Sequence, residues 1–157
     1  MVKKKLNIIC DTREQQPFTW LEYQDDVEVQ VDTLKGGDYT LVGHDMPGDD
    51  HSIMIERKKS CSELLGDIGA GWETFKKKLV IMAAYTHKFI IVTESDKFYY
   101  LFDKGYTKMH PNFIYKRLAE ITINYSIPIL FYSSIQDSEN FIFRSFVEIA
   151  RSIELDG

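Results

Sequence analysis

The sequence holds only two cysteines, Cys10 and Cys61, in 157 residues. They follow no metal-ligand spacing and are too few for a disulfide framework. That points to a reducing, intracellular setting, whether cytoplasm, nucleoid or nucleus. Nowhere do eighteen apolar residues run together, so no membrane-spanning helix and no membrane partner are expected. The opening Met-Val-Lys-Lys-Lys-Leu has the charge of a signal-peptide start, but only Leu6 to Cys10 follow before Asp11-Thr-Arg-Glu. That run is too short for a signal h-region, and secretion by this route is not expected. A basic excess is lacking too: 19 Lys and Arg face 24 Asp and Glu, a net charge of −5. A protein that coats DNA regardless of sequence is usually basic, so that class is excluded. Internal repeats and low-complexity linkers are also missing.

What is present is core-forming. Hydrophobic residues make up 44% of the chain, with 10 Phe, 9 Tyr and 2 Trp. This excludes disorder as the main theme and fits a single domain over residues 1–157. The charge is segregated. Residues 22–50 carry nine acids against the single base Lys35, whereas residues 57–88 carry seven bases against three acids. An acidic segment abutting a basic one invites a search for motifs.

Hydrophobic patterning orders the chain. Leu6–Cys10 reads as a buried strand ending at Asp11. Val27–Val31 alternates strictly and predicts a strand with one wet face. Lys35-Gly-Gly-Asp38 is a turn into a strand over Tyr39–Gly43. The Gly-, Pro- and Asp-rich loop 43–50, flanked by His44 and His51, reads as a hairpin tip before a strand over Ser52–Arg57. The first third is therefore expected to be rich in hairpins. Beyond residue 60 the period lengthens. Ser60-Cys-Ser-Glu63 is a capping box opening a short helix through Leu64, Leu65 and Ile68. Trp72, Phe75, Leu79, Met82 and Ala83 mark a second helix running to about Tyr85. Lys88–Glu94 is a continuous apolar run, as expected of a central strand covered on both faces. Phe98–Phe102 is ambiguous between strand and helix, and Gly105–Pro111 reads as loop. A helix over Asn112–Tyr125 leads to a strand over Ile127–Tyr132, where Pro128 points to a sheet edge or a strand start. A last helix from Asp137 or Ser138 carries the stripe Ile142, Phe146, Ile149 and Ile153. The expected fold class is α/β, a mixed β-sheet with helices.

Acids gather at the strand ends. Asp11 ends the first strand with Glu14 three residues on, Asp38 opens the strand after the Gly-Gly turn, and Glu56 ends the next. Residues i and i+2 of a strand project to one face, so Glu56 and Lys58 point into the same site. Carboxylates converging from different strands suit a hard divalent cation, Mg²⁺ or Mn²⁺, which lowers the pKa of bound water and stabilises charge on phosphoryl oxygen. A neighbouring lysine orients or deprotonates the water, or neutralises the phosphorane-like state. Each residue alone has a plainer reading: Asp38 as a turn residue, Asp11-Thr-Arg-Glu14 as a helix cap, and Glu56 with Lys58 as a surface ion pair contributing about 0–1 kcal/mol.

Taken together and in order, Asp11-Thr-Arg-Glu14, Gly37-Asp38-Tyr39 and Ile55-Glu56-Arg57-Lys58 resemble the three motifs of the XPF/Hef-type structure-specific endonucleases. Trp72–Leu79, Phe89–Glu94 and Ile127–Ser134 resemble the helix and strands that follow in that family, so the likeness spans residues 6–153. The resemblance implies a restriction-endonuclease-like mixed sheet flanked by helices on both faces. By the same resemblance Asp38 and Glu56 are metal-binding carboxylates, Asp11 and Glu14 further direct or water-mediated ligands, and Lys58 the catalytic lysine. Arg57 and Arg13 are supporting positions that hold carboxylate or phosphate. Positive charge for DNA is expected from Arg13, Lys59, Lys76, Lys77 and Lys78, with Lys3–Lys5 reading as a solubilising terminus. Tyr99, Tyr100, Tyr106 and Tyr115 read as packing residues rather than base-stacking ones.

Where the family carries an Asp after Glu-Arg-Lys, this chain has Ser62, with Glu63 one step later. The capping box accounts for Glu63. The resemblance further implies branched, flapped or junction DNA as substrate, of the kind met in repair and recombination, and a homodimer or a partner protein. The tandem helix–hairpin–helix module common in the family is not expected, because the chain ends with the nuclease domain. The rival expectation is a nuclease-like scaffold subunit that binds DNA without cutting. Metal-free protein is expected to bind DNA poorly, because a site lined by uncompensated acids repels phosphate.

Overall fold

Period-two burial along the strands and helical burial along the helices sort the apolar side chains into two layers, one on each side of a sheet. The computed structural model describes residues 4–94 and 107–156. Phe98–Phe102, Tyr99, Tyr100, Tyr106, Lys3 and the side chain of Ile153, all singled out above, lie outside the described residues. The six strands are β1 (Leu6–Asp11), β2 (Val27–Asp32), β3 (Tyr39–Leu41), β4 (Ile53–Lys58), β5 (His87–Val92) and β6 (Ile129–Phe131). They form one mixed sheet in the order β2-β1-β3-β4-β5-β6. Strand β3 is antiparallel to both β1 and β4, while β2 on β1, β5 on β4 and β6 on β5 are parallel.

Helices α1 (Cys61–Ile68), α2 (Trp72–Ala83) and α3 (Pro111–Asn124) pack on one face with Ile9, Met54, Ile90 and Val92. Helix α4 (Ile135–Asp156) covers the other, where Ile142, Phe143, Phe146 and Ile149 meet Ile8, Tyr39, Ile55 and Ile91. The expected central strand is β5, with Phe89 and Ile91 in one layer and Ile90 and Val92 in the other. The capping box forms: Ser60 Oγ accepts from Glu63 N at 3.2 Å, and Glu63 Oε2 accepts from Lys59 N at 3.2 Å. Such a cap contributes about 1 kcal/mol. Pro128 sits just before the edge strand β6, and Cys10 and Cys61 are buried without a disulfide.

Two expectations are corrected. The first third is not a string of hairpins, since β1 and β2 are parallel and joined by a crossover through the 3₁₀ turn Leu21–Tyr23. The alternation of Val27–Val31 also does not produce a buried face. β2 lies at the sheet edge, and only Val27 is buried there, while Val29 and Val31 stay exposed. Among the described residues no helix is long and apolar enough to cross a membrane.

Candidate active site

Strand register assembles the site. Cys10 pairs with Tyr39 and Tyr39 with Ile55, so one step further along Asp11, Asp38 and Glu56 lie in a row across β1, the start of β3, and β4. Asp11 N donates to Asp38 O at 2.8 Å, and Asp38 N to Ile55 O at 2.8 Å, which locks that row. The close approach requires Gly37. A Cβ there would stand 2.8 Å from both Ile55 O and Met54 Sδ.

The row opens into a cleft of about 420 Å³ lined by Asp11, Arg13, Glu14, Gln15, Asp38, Glu56, Arg57, Lys58, Lys59, Glu63 and Lys78. Nearly every residue named from the motifs therefore reaches one cavity. Lys76 and Lys77 do not line it. Lys77 is exposed, and Lys76 pairs with Glu73 one turn back at 3.3 Å. A second cavity of about 460 Å³ at the opposite end of β5 holds the stacked pair His51–His87 over apolar walls, without a carboxylate pair.

The four expected carboxylates play two different parts. Asp38 and Glu56 share a side-chain hydrogen bond, and Asp38 Oδ2 also accepts from Arg57 N at 2.8 Å. Burial, and then the neighbouring Glu56, push the Asp38 carboxyl up to about 8, against smaller opposing effects of the Arg57 amide and Lys78. Two carboxyls this close cannot both ionise cheaply without a cation.

Asp11 and Glu14 are instead tied to arginines. Asp11 Oδ1 accepts from Leu34 N at 2.7 Å and Oδ2 from Arg13 Nε at 3.0 Å. Burial pushes the Asp11 carboxyl up, but those bonds outweigh it and hold it below its ordinary value. Glu14 Oε2 faces Arg57 Nη1 at 3.9 Å, and Oε1 accepts from Gln16 N at 3.3 Å. Among the described residues no three acidic, histidine or cysteine side chains gather to enclose an ion. All four expected carboxylates line the cleft, Asp38 and Glu56 against each other and Asp11 and Glu14 each against an arginine.

Arg57 faces Glu14 from the other side of the strand. It alternates with Glu56 and Lys58 on β4, so its guanidinium enters the opposite layer. There it stacks over the Phe18 ring at 4.3 Å, donates to Gln16 O, and lies 3.4 Å from Thr93 Oγ1. Only its backbone amide serves the acid pair.

Lys58 Nζ contacts Asp67 Oδ2 on α1, lies 3.9 Å from Glu56 Oε1, and sits 4.8 Å over the Phe75 ring. Burial pulls the Lys58 ammonium down, but Glu56 and then Asp67 outweigh it and hold it above its ordinary value. Asp67 escaped the motif reading altogether, since the carboxylate it supplies comes from five residues past Ser62, which is exposed. Lys78 Nζ, read from sequence as a DNA contact, reaches Glu56 Oε2 at 2.6 Å.

The donor set fits a hard divalent cation. The carboxylates of Asp38 and Glu56 offer only oxygen ligands, and the Glu56 side chain is buried, 2% exposed. One or two carboxylates, completed by waters and substrate phosphate, are a usual arrangement for Mg²⁺.

The fold is restriction-endonuclease-like, a mixed six-stranded sheet with helices on both faces. The chain belongs to the ERCC4 domain family, which matches residues 10–145. Two solved structures share the fold. One is XPF from Aeropyrum pernix in complex with DNA, at TM-score 0.64 and 20% identity over 94% of this chain. Another is XPF from Aeropyrum pernix, at TM-score 0.66 and 20% identity over 92% of this chain. This chain spans 66% and 61% of those two chains, respectively. No curated protein matches the sequence.

Proposed function

We propose that the protein is an Mg²⁺- or Mn²⁺-dependent DNA endonuclease that hydrolyses phosphodiester bonds in branched, flapped or junction DNA. The observation that carries this reading is the pairing of Asp38 with Glu56 across β3 and β4, with Lys58 two residues along on the same face. Membership of the ERCC4 domain family and a structural neighbour determined with DNA support it. Homodimerisation or a partner protein, and an intracellular location, belong to the same reading.

Asp38 and Glu56 would hold the cation, with both carboxyls ionised. A divalent ion there would supply Lewis acidity toward a phosphoryl oxygen and lower the pKa of a bound water. Lys58, kept protonated by Glu56 and Asp67, meets the negative charge that builds on phosphorus and its oxygens. It serves as an electrostatic stabiliser, not as the base. Asp67 and the Phe75 ring fix the position of its ammonium. Arg13 and Lys59 at the cleft wall contact flanking phosphates.

Labelled flap, fork, Holliday-junction and linear duplex DNA incubated with Mg²⁺ or Mn²⁺ tests the proposal, beside Asp38→Ala and Lys58→Ala. Cleavage by the wild type and its loss in both variants is expected. Binding without cleavage by the wild type would favour the scaffold reading instead.

A further inference from the structure

Lys78 stands apart from the other positive groups of the cleft. Arg13 and Lys58 each have a carboxylate partner other than Glu56 at close range, in Asp11 and Asp67. Among the described residues Lys78 has Glu56 as its carboxylate partner, with Nζ 2.6 Å from Oε2. Its electrostatic influence also reaches Asp38. Glu56 is 2% exposed, whereas the Lys78 side chain is 33% exposed. The carboxylate is therefore fixed and dry, while the ammonium arrives on a four-carbon arm from the rim of the cleft. A compact, strongly hydrated charge on a flexible stem is the group best able to leave such a contact and take up water.

We infer that Lys78 is the built-in counter-ion of this site. Its ammonium neutralises Glu56 in metal-free protein, and it gives up that carboxylate when a divalent cation takes it. Released, Lys78 stays at the cleft wall, where its charge is free to pair with a DNA phosphate. Resting on the nuclease reading, the inference adds that the charge needed for phosphate contact is withheld until metal is present. Two like-signed cations cannot share one carboxylate oxygen at this distance without strong repulsion, so metal and Lys78 compete. The other charges along α2 fit: Lys76 has Glu73 beside it and Lys77 faces solvent, so neither can substitute for Lys78.

The test compares wild type with Lys78→Gln and Lys78→Met. Glutamine keeps an N–H for Glu56 Oε2 and guards against misfolding, while methionine removes the donor as well. Titration calorimetry with Mn²⁺ in the absence of DNA is expected to give both variants about tenfold tighter binding than wild type, because the competing charge is gone. Equal or weaker binding by folded Lys78→Gln would overturn the inference. DNA affinity across a salt series supplies the second arm. In Ca²⁺ the slope of log K against log salt is expected to shrink by about one for Lys78→Gln, and in EDTA to be unchanged. A slope that shrinks equally in both conditions would also overturn it. If wild type and variants all bind no Mn²⁺, the nuclease reading itself fails, an outcome distinguishable from the other two.

Discussion

The Asp38–Glu56 pair should make the metal-free protein lose stability as pH rises, opposite to the usual behaviour of an acidic protein leaving acid conditions. The folded-state pKa of Asp38, about 8, lies above the ordinary 3.8 that holds in the unfolded chain. Between those values the folded form binds more protons than the unfolded one, so unfolding free energy falls with increasing pH and levels off above about 8. One proton gives a slope of at most about 1.4 kcal/mol per pH unit. Solvent access through the cleft reduces that, and about 2 kcal/mol between pH 6 and pH 8 is the working expectation. For a domain of this size it corresponds to a fall in Tm of about 4–8 °C. Circular-dichroism melts in EDTA across that range, for wild type and Asp38→Asn, provide the assay. Asparagine accepts from Arg57 N and donates to Glu56 without titrating, so its Tm should be nearly flat. Saturating Mg²⁺ should raise the wild-type Tm more at pH 8 than at pH 6, since the cation needs the ionised pair. A flat wild-type profile in EDTA, or an Asp38→Asn profile with the wild-type slope, would refute the reasoning.

Further outcomes follow from the same geometry. Asp67→Asn should lower the single-turnover cleavage rate about 10- to 100-fold with little change in Tm, because it loosens the hold on Lys58, whereas exposed Ser62→Ala should cleave normally. Gly37→Ala should destabilise by about 1–3 kcal/mol in urea and lose activity beyond that, because its Cβ forces the β4 backbone or Met54 aside and splits the acid row. Arg57→Met should cost about 3 kcal/mol in the same urea assay, since it strips Glu14, Gln16 O and Thr93 of a buried charged donor, and Arg57→Lys should rescue little.

Much of this was legible because it rests on local rules. The Glu56-x-Lys58 spacing fixed a shared face, the Ser60–Glu63 box fixed a helix start, and the unbroken apolar run of β5 announced burial on two sides. Pairing was less legible. Alternation in Val27–Val31 says that the segment is a strand but not which neighbour it takes or whether anything covers it. The three lysines Lys76–Lys78 illustrate a similar limit. Lys76 and Lys78 both flank the apolar stripe of Trp72, Phe75, Leu79 and Met82, and only the packing of α2 on the sheet decides which flank meets Glu56. Asp67 left no signal at all, because its partner depends on where α1 docks against β4.

Strand β4 has a consequence for how the sequence can vary. Its residues 56, 57 and 58 point in turn to one layer, the other, and back, so a single peptide run carries both the acid pair and the anchor of the far side. Arg57 there clasps Gln16 O and the Phe18 ring, within the segment that also lies against Tyr39, whose hydroxyl accepts from Phe18 N at 2.9 Å. The same segment is held to α4, where Glu139 Oε2 accepts from Trp20 N at 3.0 Å. The two faces of the sheet are therefore mechanically coupled through three consecutive residues. Sequence drift in the aromatic layer under α4 would be registered as a change in the spacing of Asp38 and Glu56, so whatever constrains the acid pair also constrains the packing on the far side of the sheet.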